Sequence, residues 1–149
     1  MTTENKFLLR EPVTEQEWDD YYRIRYEVLR KPWNQPFSST KDEAEDISFH
    51  LLLTDPEGRP AGAGRLQFNS ASQGQIRSMA VREDLRGTGW GSTILKRLEQ
   101  EAADRGMTEI VLDARIGAVH FYENAGYTVT GDSYLLFGEI PHKAMRKRL

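Results

Sequence analysis

A chain of 149 residues, 29% charged and 38% hydrophobic, suits one globular domain spanning 1–149 that needs no covalent staples. It has no cysteine, which excludes disulfides, thiolate catalysis and cysteine-ligated metal, and its net charge of −3 argues against nucleic acid, whose phosphates demand a basic face. No apolar leader-like segment opens the chain and no run of about 18 apolar residues occurs, so a cytoplasmic protein with no membrane partner is expected.

Residues 7–10 predict a short first strand. Thr14-Glu15-Gln16-Glu17 is a capping-box pattern, in which the threonine hydroxyl accepts an early amide and Glu17 reaches back. The helix it starts carries Trp18, Tyr21, Tyr22, Arg25 and Leu29 at spacings of three and four and should stop before Pro32. Residues 31–46, with Pro32 and Pro36, read as a loop with room for one helical turn. Residues 48–54 and 60–68 form a hairpin about Asp55-Pro56-Glu57-Gly58, and 75–81 add a third strand after a turn over 69–74. A helix over 91–105 puts Ile94, Leu95, Leu98 and Ala102 on one stripe and ends at Gly106. Residues 109–113 return as a strand which, beside 75–81, requires a right-handed parallel crossover. A short helix over 116–124 ends at Gly126, and 127–138 and 143–149 supply two closing strands. The cations Lys143, Arg146, Lys147 and Arg148 are read as guarding a terminal edge strand rather than as a nucleic-acid patch. The fold class is α/β: a mixed, mostly antiparallel sheet with one central βαβ unit.

Between the strand at 75–81 and the helix at 91–105 lies Arg86-Gly87-Thr88-Gly89-Trp90-Gly91. Alternate glycines strip Cβ atoms from one rim of the turn. The first amides of the following helix have no intrahelical partner, and the macrodipole favours negative charge there. A phosphorylated ligand is therefore expected. No lysine follows the last glycine, which excludes a Walker A loop, and Gly87-Thr88-Gly89-Trp90-Gly91-Ser92 misses a dinucleotide fingerprint by one place. A third pattern fits: an arginine-led glycine turn after a strand ending Met79-Ala80-Val81.

That turn resembles the acetyl-CoA loop of the GNAT N-acetyltransferase superfamily, and the resemblance runs on. Phe121-Tyr122-Glu123-Asn124-Ala125-Gly126-Tyr127 is similar to the family's Phe-Tyr-Glu-x-x-Gly-Phe segment, and Gly62-Ala63-Gly64-Arg65 to the strand before the central one. Glu139-Ile140-Pro141-His142 with Met145 resembles the ending of a small bacterial subgroup. The resemblance covers roughly residues 45 to 149 and implies a GNAT-like fold that takes acetyl-CoA as co-substrate, with no metal. It implies that Met79, Ala80 and Val81 bind the pantetheine arm through their main chain. Arg86, Gly87, Thr88, Gly89, Trp90, Gly91 and Ser92 would then surround the pyrophosphate. Many members carry an asparagine shortly before Phe-Tyr; Ala114 and Arg115 stand in that region here, making Arg115 a candidate phosphate contact.

Tyr122 is the expected general acid. Acyl transfer from a thioester to an amine releases a thiolate, and a phenol at the sulfur can protonate it. With ordinary pKa values of ~10 and ~8.5, full transfer is uphill by about 2 kcal/mol, a gap that a dry site narrows by raising the thiolate's basicity. The amine must also lose a proton, and Glu83, just past the central strand, is the candidate base, with His50 and His142 as weaker ones. Trp33, Glu43, Asp46 and Arg77 are candidates for the acceptor site, the carboxylates suiting a small cationic amine. The expected reaction is direct acetyl transfer to the primary amine of a small molecule, or less readily of a peptide. The alternative is a non-catalytic acyl-CoA-binding sensor, and a homodimer is compatible with either.

Overall fold

A computed structural model describes residues 6–149. Seven strands, β1 (Leu8–Arg10), β2 (Phe49–Thr54), β3 (Pro60–Phe68), β4 (Gln73–Val81), β5 (Glu109–Arg115), β6 (Thr128–Leu136) and β7 (Ile140–Arg148), form one sheet in the order β1-β2-β3-β4-β5-β7-β6. Every neighbouring pair is antiparallel except β4 with β5. Helix α1 (Glu15–Leu29) covers one face, α2 (Trp90–Asp104) and α3 (Val119–Asn124) the other. The alternation along β2 shows this directly. Leu51 and Leu53 join the α2 core with Ile94, Leu95 and Leu98, while Leu52 turns to the α1 layer with Tyr21 and Ile24.

The capping box forms as the sequence requires, with Glu17 N donating to Thr14 Oγ1 at 3.1 Å and Thr14 N to Glu17 Oε1 at 2.9 Å. Three differences from the sequence reading have local causes. β4 begins at Gln73, because the 69–74 turn closes early through Asn69 N and Ser70 N on Gln73 O. Residues 31–46 wind into three separate 3-10 turns rather than one. The basic final strand β7 is not an edge: it lies between β5 and β6, and its cations Lys143, Arg146 and Lys147 pair with Asp132, Glu109 and Glu99.

The feature that makes a site is a failure of pairing. β4 and β5 hold register only from Gln73↔Glu109 to Ile76↔Leu112. Beyond that point β5 follows β7 as far as Arg115↔His142, while β4 bulges against β3. The register there steps from Arg65↔Arg77 to Ala63↔Ala80, and the bulge holds Ser78 in the left-handed region at φ 54°. Such a conformation costs a non-glycine residue about 1–3 kcal/mol and persists only where its surroundings impose it. The two strands therefore part, and main chain of β4 beyond Ile76 faces the gap without a β5 partner.

One wall of the gap hangs on a buried ion network. Glu45 accepts from Arg25 Nη1 at 2.7 Å and Nη2 at 2.9 Å, and from Arg65 Nη1 at 2.5 Å. Arg65 is fully buried and also meets Asp42 at 2.8 Å and 3.0 Å; Arg25 Nη2 donates to Thr40 O at 2.6 Å. Tyr21 bonds His50 at 2.6 Å, and the other nitrogen of His50 donates to Glu45 O at 2.7 Å. The network thus ties the irregular 40–46 segment to α1 and β3. Burial alone would push the Glu45 carboxyl up, but hydrogen bonds and charge from Arg25 and Arg65 outweigh it and hold the group below its usual range.

Removing one member of a buried pair strands the other charge, which typically costs about 3–5 kcal/mol. Glu45→Ala is therefore expected to lower unfolding free energy by that order in urea titrations, with Glu45→Gln falling between it and the wild type. Because the folded-state pKa of Glu45 is depressed, its contribution is complete above the unfolded value of ~4.3 and is lost as pH falls through the lower folded value. Urea midpoints measured between pH 3 and 7 should accordingly drop less steeply at the acid end in Glu45→Gln. An identical acid limb in both proteins would show that other carboxylates govern acid unfolding.

Candidate active site

After β4 the chain makes one 3-10 turn at Glu83–Leu85, pinned by Arg82, which binds Asp55 at 2.9 Å and Asp84 at 2.7 Å. The glycine turn then leads into α2. Gly87 and Gly89 have φ of 78° and 93°, which side-chain-bearing residues rarely adopt, and a Cβ on either would meet no protein atom within 4 Å. The rim is thus open, and left-handed backbone is what demands glycine. Gly91 differs: its Cβ would lie in ordinary contact, 3.4 Å from the Phe121 ring, on the side where α2 meets α3. Gly89 caps α2 without a side-chain hydrogen bond, and the first helical bond runs from Thr93 N to Gly89 O at 3.1 Å. The amides of Trp90, Gly91 and Ser92 precede it and have no intrahelical acceptor. Trp90 turns inward against Phe7, ring centroids 4.7 Å apart.

Where β4 and β5 part there is a cavity of about 320 Å³. β4 contributes Gln75 to Met79, β5 Leu112 to Arg115, and α1 its C-terminal residues, while Tyr122 enters from α3 and Tyr134 and His142 from the closing hairpin. Tyr122 is buried, its ring edge-on to Phe121 at 5.0 Å and Tyr127 at 5.7 Å. Its hydroxyl has no hydrogen-bond partner among the described residues, and burial raises its pKa well above the usual phenol value. The group therefore stays protonated at neutral pH, a donor without an acceptor.

His142 sits opposite. Its Nδ1 donates to Ile140 O at 2.9 Å, which leaves the Nε2 lone pair as the acceptor, and its ring stacks on Tyr134 at 4.5 Å. Burial first, and then the charge of Arg115, pull its pKa below the ordinary histidine value, although the Ile140 and Tyr134 carbonyls and the Asp113 carboxylate oppose this. The imidazole is thus neutral at pH 7 and able to accept a proton.

Of the residues singled out from sequence, Met79, Arg77, Arg115 and Tyr122 line this one cavity. Ala80 and Val81 continue β4 toward the glycine turn, where Arg86 and Thr88 are exposed and Ser92 half-buried. Glu83 is exposed on the turn beyond the strand and does not line the cavity. Trp33 lies on the first 3-10 turn and Glu43 is exposed, both outside the lining; Asp46 lines a separate recess with Trp18, Tyr22 and His50. Glu45, which lies between Glu43 and Asp46 in the chain, is spent on two arginines. His142, a weaker candidate base from sequence, also lines the cavity, as do Arg30 and Tyr134, which sequence reasoning does not single out. His142 had a signal in Ile140-Pro141-His142; Arg30 had none. No group of three or more metal-ligating side chains occurs among the described residues.

The model of the acetyltransferase (GNAT) domain family matches residues 14–149. The chain belongs to the GNAT acetyltransferase family. That is an acetyl-CoA-dependent class of N-acyltransferases. YjcF of Bacillus subtilis (strain 168), named an uncharacterized N-acetyltransferase, is 36% identical over 133 residues, covering 89% of this chain and 94% of that protein. A crystal structure assigned as an N-acetyltransferase from Lactobacillus plantarum superposes with a TM-score of 0.85 at 24% identity, covering 97% of this chain and 99% of that one. A GNAT family acetyltransferase from Elizabethkingia anophelis, solved with acetyl-CoA bound, gives 0.74 at 12% identity over 98% of this chain and 100% of that one. The last two, at low sequence identity, show the fold alone.

Gly89→Val would force a β-branched residue toward φ 93° and place methyl groups on the open rim. The expected outcome is loss of the melting-temperature rise that CoA or acetyl-CoA gives the wild type by mass action. NAD and ATP should raise the wild-type melting temperature less or not at all. A shift from NAD equal to that from CoA would count against a CoA-specific turn.

Proposed function

We propose that this chain moves an acetyl group from acetyl-CoA directly to the primary amine of a small molecule. The observation that carries the reading is Tyr122: a protonated hydroxyl without a protein partner, facing a cavity that opens where two parallel strands separate. The cofactor suits the residues present, because the turn offers an open rim and unbonded helix amides beside an unpaired strand edge. Arg86 to Ser92 would hold the pyrophosphate, and main-chain groups of Met79, Ala80 and Val81 the pantetheine arm. Acetyl-CoA supplies the activated acyl group as a thioester.

The chain's own work is proton management and positioning. Tyr122 holds a proton for the departing sulfur. Its raised pKa makes outright transfer unfavourable, so the hydroxyl acts most as a hydrogen-bond donor to charge developing on sulfur. The amine arrives largely as an ammonium and must lose a proton. Glu83 stands off the cavity, and we assign the base role to His142, which lines it and whose Nδ1 is fixed by the Ile140 carbonyl. Arg77 is the member of the expected acceptor set retained in this reading.

Tyr122→Phe keeps the ring and its packing while deleting the donor. Cofactor binding should change little, whereas kcat should fall ~100-fold or more, measured by thiol release with an amine found by screening. Unchanged turnover would remove Tyr122 from the chemistry. Tight acetyl-CoA binding with no amine acetylated would favour a sensor instead.

The base assignment predicts a pH signature. Neutral His142 is the active form and its pKa lies below the ordinary ~6.5, so kcat/KM should lose a limb only as pH drops beneath that value. His142→Gln should abolish that limb and lower kcat, with the melting temperature recorded alongside. Persistence of the limb in the variant would assign it to another group.

A further inference from the structure

The guanidinium groups around the cavity fall into two sets. Arg25 and Arg65 are neutralised by Glu45 and Asp42 within the buried network. Arg30, Arg77 and Arg115 are not. Arg30 gives Nε to Ser39 O at 3.1 Å and Nη1 to Leu29 O at 3.2 Å, and Arg115 gives Nη2 to that same Leu29 oxygen at 2.9 Å. Two guanidiniums thus converge on one carbonyl at the C-terminal end of α1, where the helix dipole helps to tolerate them. Neither has a carboxylate within ion-pair distance among the described residues. Arg77 reaches only Asp42, at 3.9 Å, and that carboxylate is already bound twice by Arg65.

This concentration of like charge is not a solvated surface. Arg115 is half-buried, and the Arg30 guanidinium lies over the Phe137 ring at 5.3 Å. Burial first, and then the neighbouring guanidiniums, lowers the pKa of both Arg30 and Arg115. Opposing them, Asp113 is the one lining carboxylate with no cation partner, accepting from Ser133 at 2.7 Å and Gln75 at 3.4 Å. The cavity is therefore polar in the literal sense, with several unspent guanidinium donors against a single free carboxylate.

We propose that the acceptor is a small amine bearing an anionic group, a carboxylate or a phosphate, bound by Arg30, Arg77 and Arg115. The fork of a guanidinium matches either anion through paired N–H donors, and the unused nitrogens of Arg115 and Arg77 supply them. Asp113 offers the ammonium end a counter-charge before deprotonation. This rests on the acetyl-transfer reading and replaces the cationic amine expected from Glu43 and Asp46.

The test uses matched probes. γ-Aminobutyrate and β-alanine are compared with their amides, O-phosphoethanolamine with ethanolamine, and putrescine serves as the cationic arm. Thiol release should show kcat/KM at least ~10-fold higher for one anionic series than for its neutral counterparts and for putrescine, the size expected of charge-assisted hydrogen bonds. Whether the aminocarboxylates or the aminophosphate lead decides between the two anions. Arg77→Gln and Arg115→Gln should each raise KM for the preferred anionic probe about 10-fold or more, with little effect on its neutral partner. Arg77 is 41% exposed and its ion pair to Asp42 is long at 3.9 Å, so its variant is expected to fold. Preference for putrescine or the amides, or equal loss on charged and neutral probes, would overturn the proposal. Calorimetric titration of the same probes into CoA-saturated protein reads the charge preference independently of turnover. Anion-selective binding without acetylation would uphold the charge class and sink the transfer reading, whereas cation-selective binding would sink the charge class alone.

Discussion

The molecule is organised by the short life of one parallel strand pair. β4 and β5 share only four registered positions before a bulge at Ser78 turns β4 away and β7 carries β5 in another direction. A sheet that stayed paired would have closed this space with main-chain hydrogen bonds. Separation instead leaves strand edge exposed within the fold, next to a helix N-terminus and beneath a tyrosine. The strain at Ser78 is tolerated because β3, α1 and the α2 core fix the strand on both faces.

Around that gap, charge is divided between structure and site. Glu45 is almost wholly consumed in neutralising Arg25 and Arg65, and that investment holds the 3-10 segment that walls the cavity. The arginines left over are those that converge on the end of α1 and line the opening. A carboxylate near a pocket is thus no guide to the charge of its ligand until its partners are known. Here Asp42 and Glu45, chain neighbours of the Glu43 and Asp46 carboxylates expected to hold a cationic amine, form an internal salt-bridge hub.

The closing hairpin completes the arrangement. Phe137 and Gly138 both take positive φ in its three-residue tip, which Glu139 N closes by donating to Leu136 O at 3.0 Å. That brings Tyr134, Leu136 and His142 over the cavity and sets Phe137 beneath Arg30. The cavity is therefore lined from α1, β4, β5, β6 and β7, elements far apart in the chain, while the segment from the end of β4 through the glycine turn into α2 is continuous.

That difference in continuity divides what the sequence determined from what it left to the fold. Local features were legible: the Thr14 capping box, the α2 stripe, the glycine turn, Phe121-Tyr122 and the hairpin about Asp55 all depend on residues within one or two turns of each other. The mixed sheet with a central βαβ unit followed from the order of those elements. Tertiary structure alone decided that β7 sits inside the sheet, that Glu45 faces two arginines, and that Arg115 meets Arg30 at the carbonyl of Leu29, 86 positions earlier in the chain. The physical reason is the range of the forces involved. Helix caps, turns and periodic burial are set by neighbours along the chain, whereas a charge takes its meaning from whichever opposite charge the packing brings within reach.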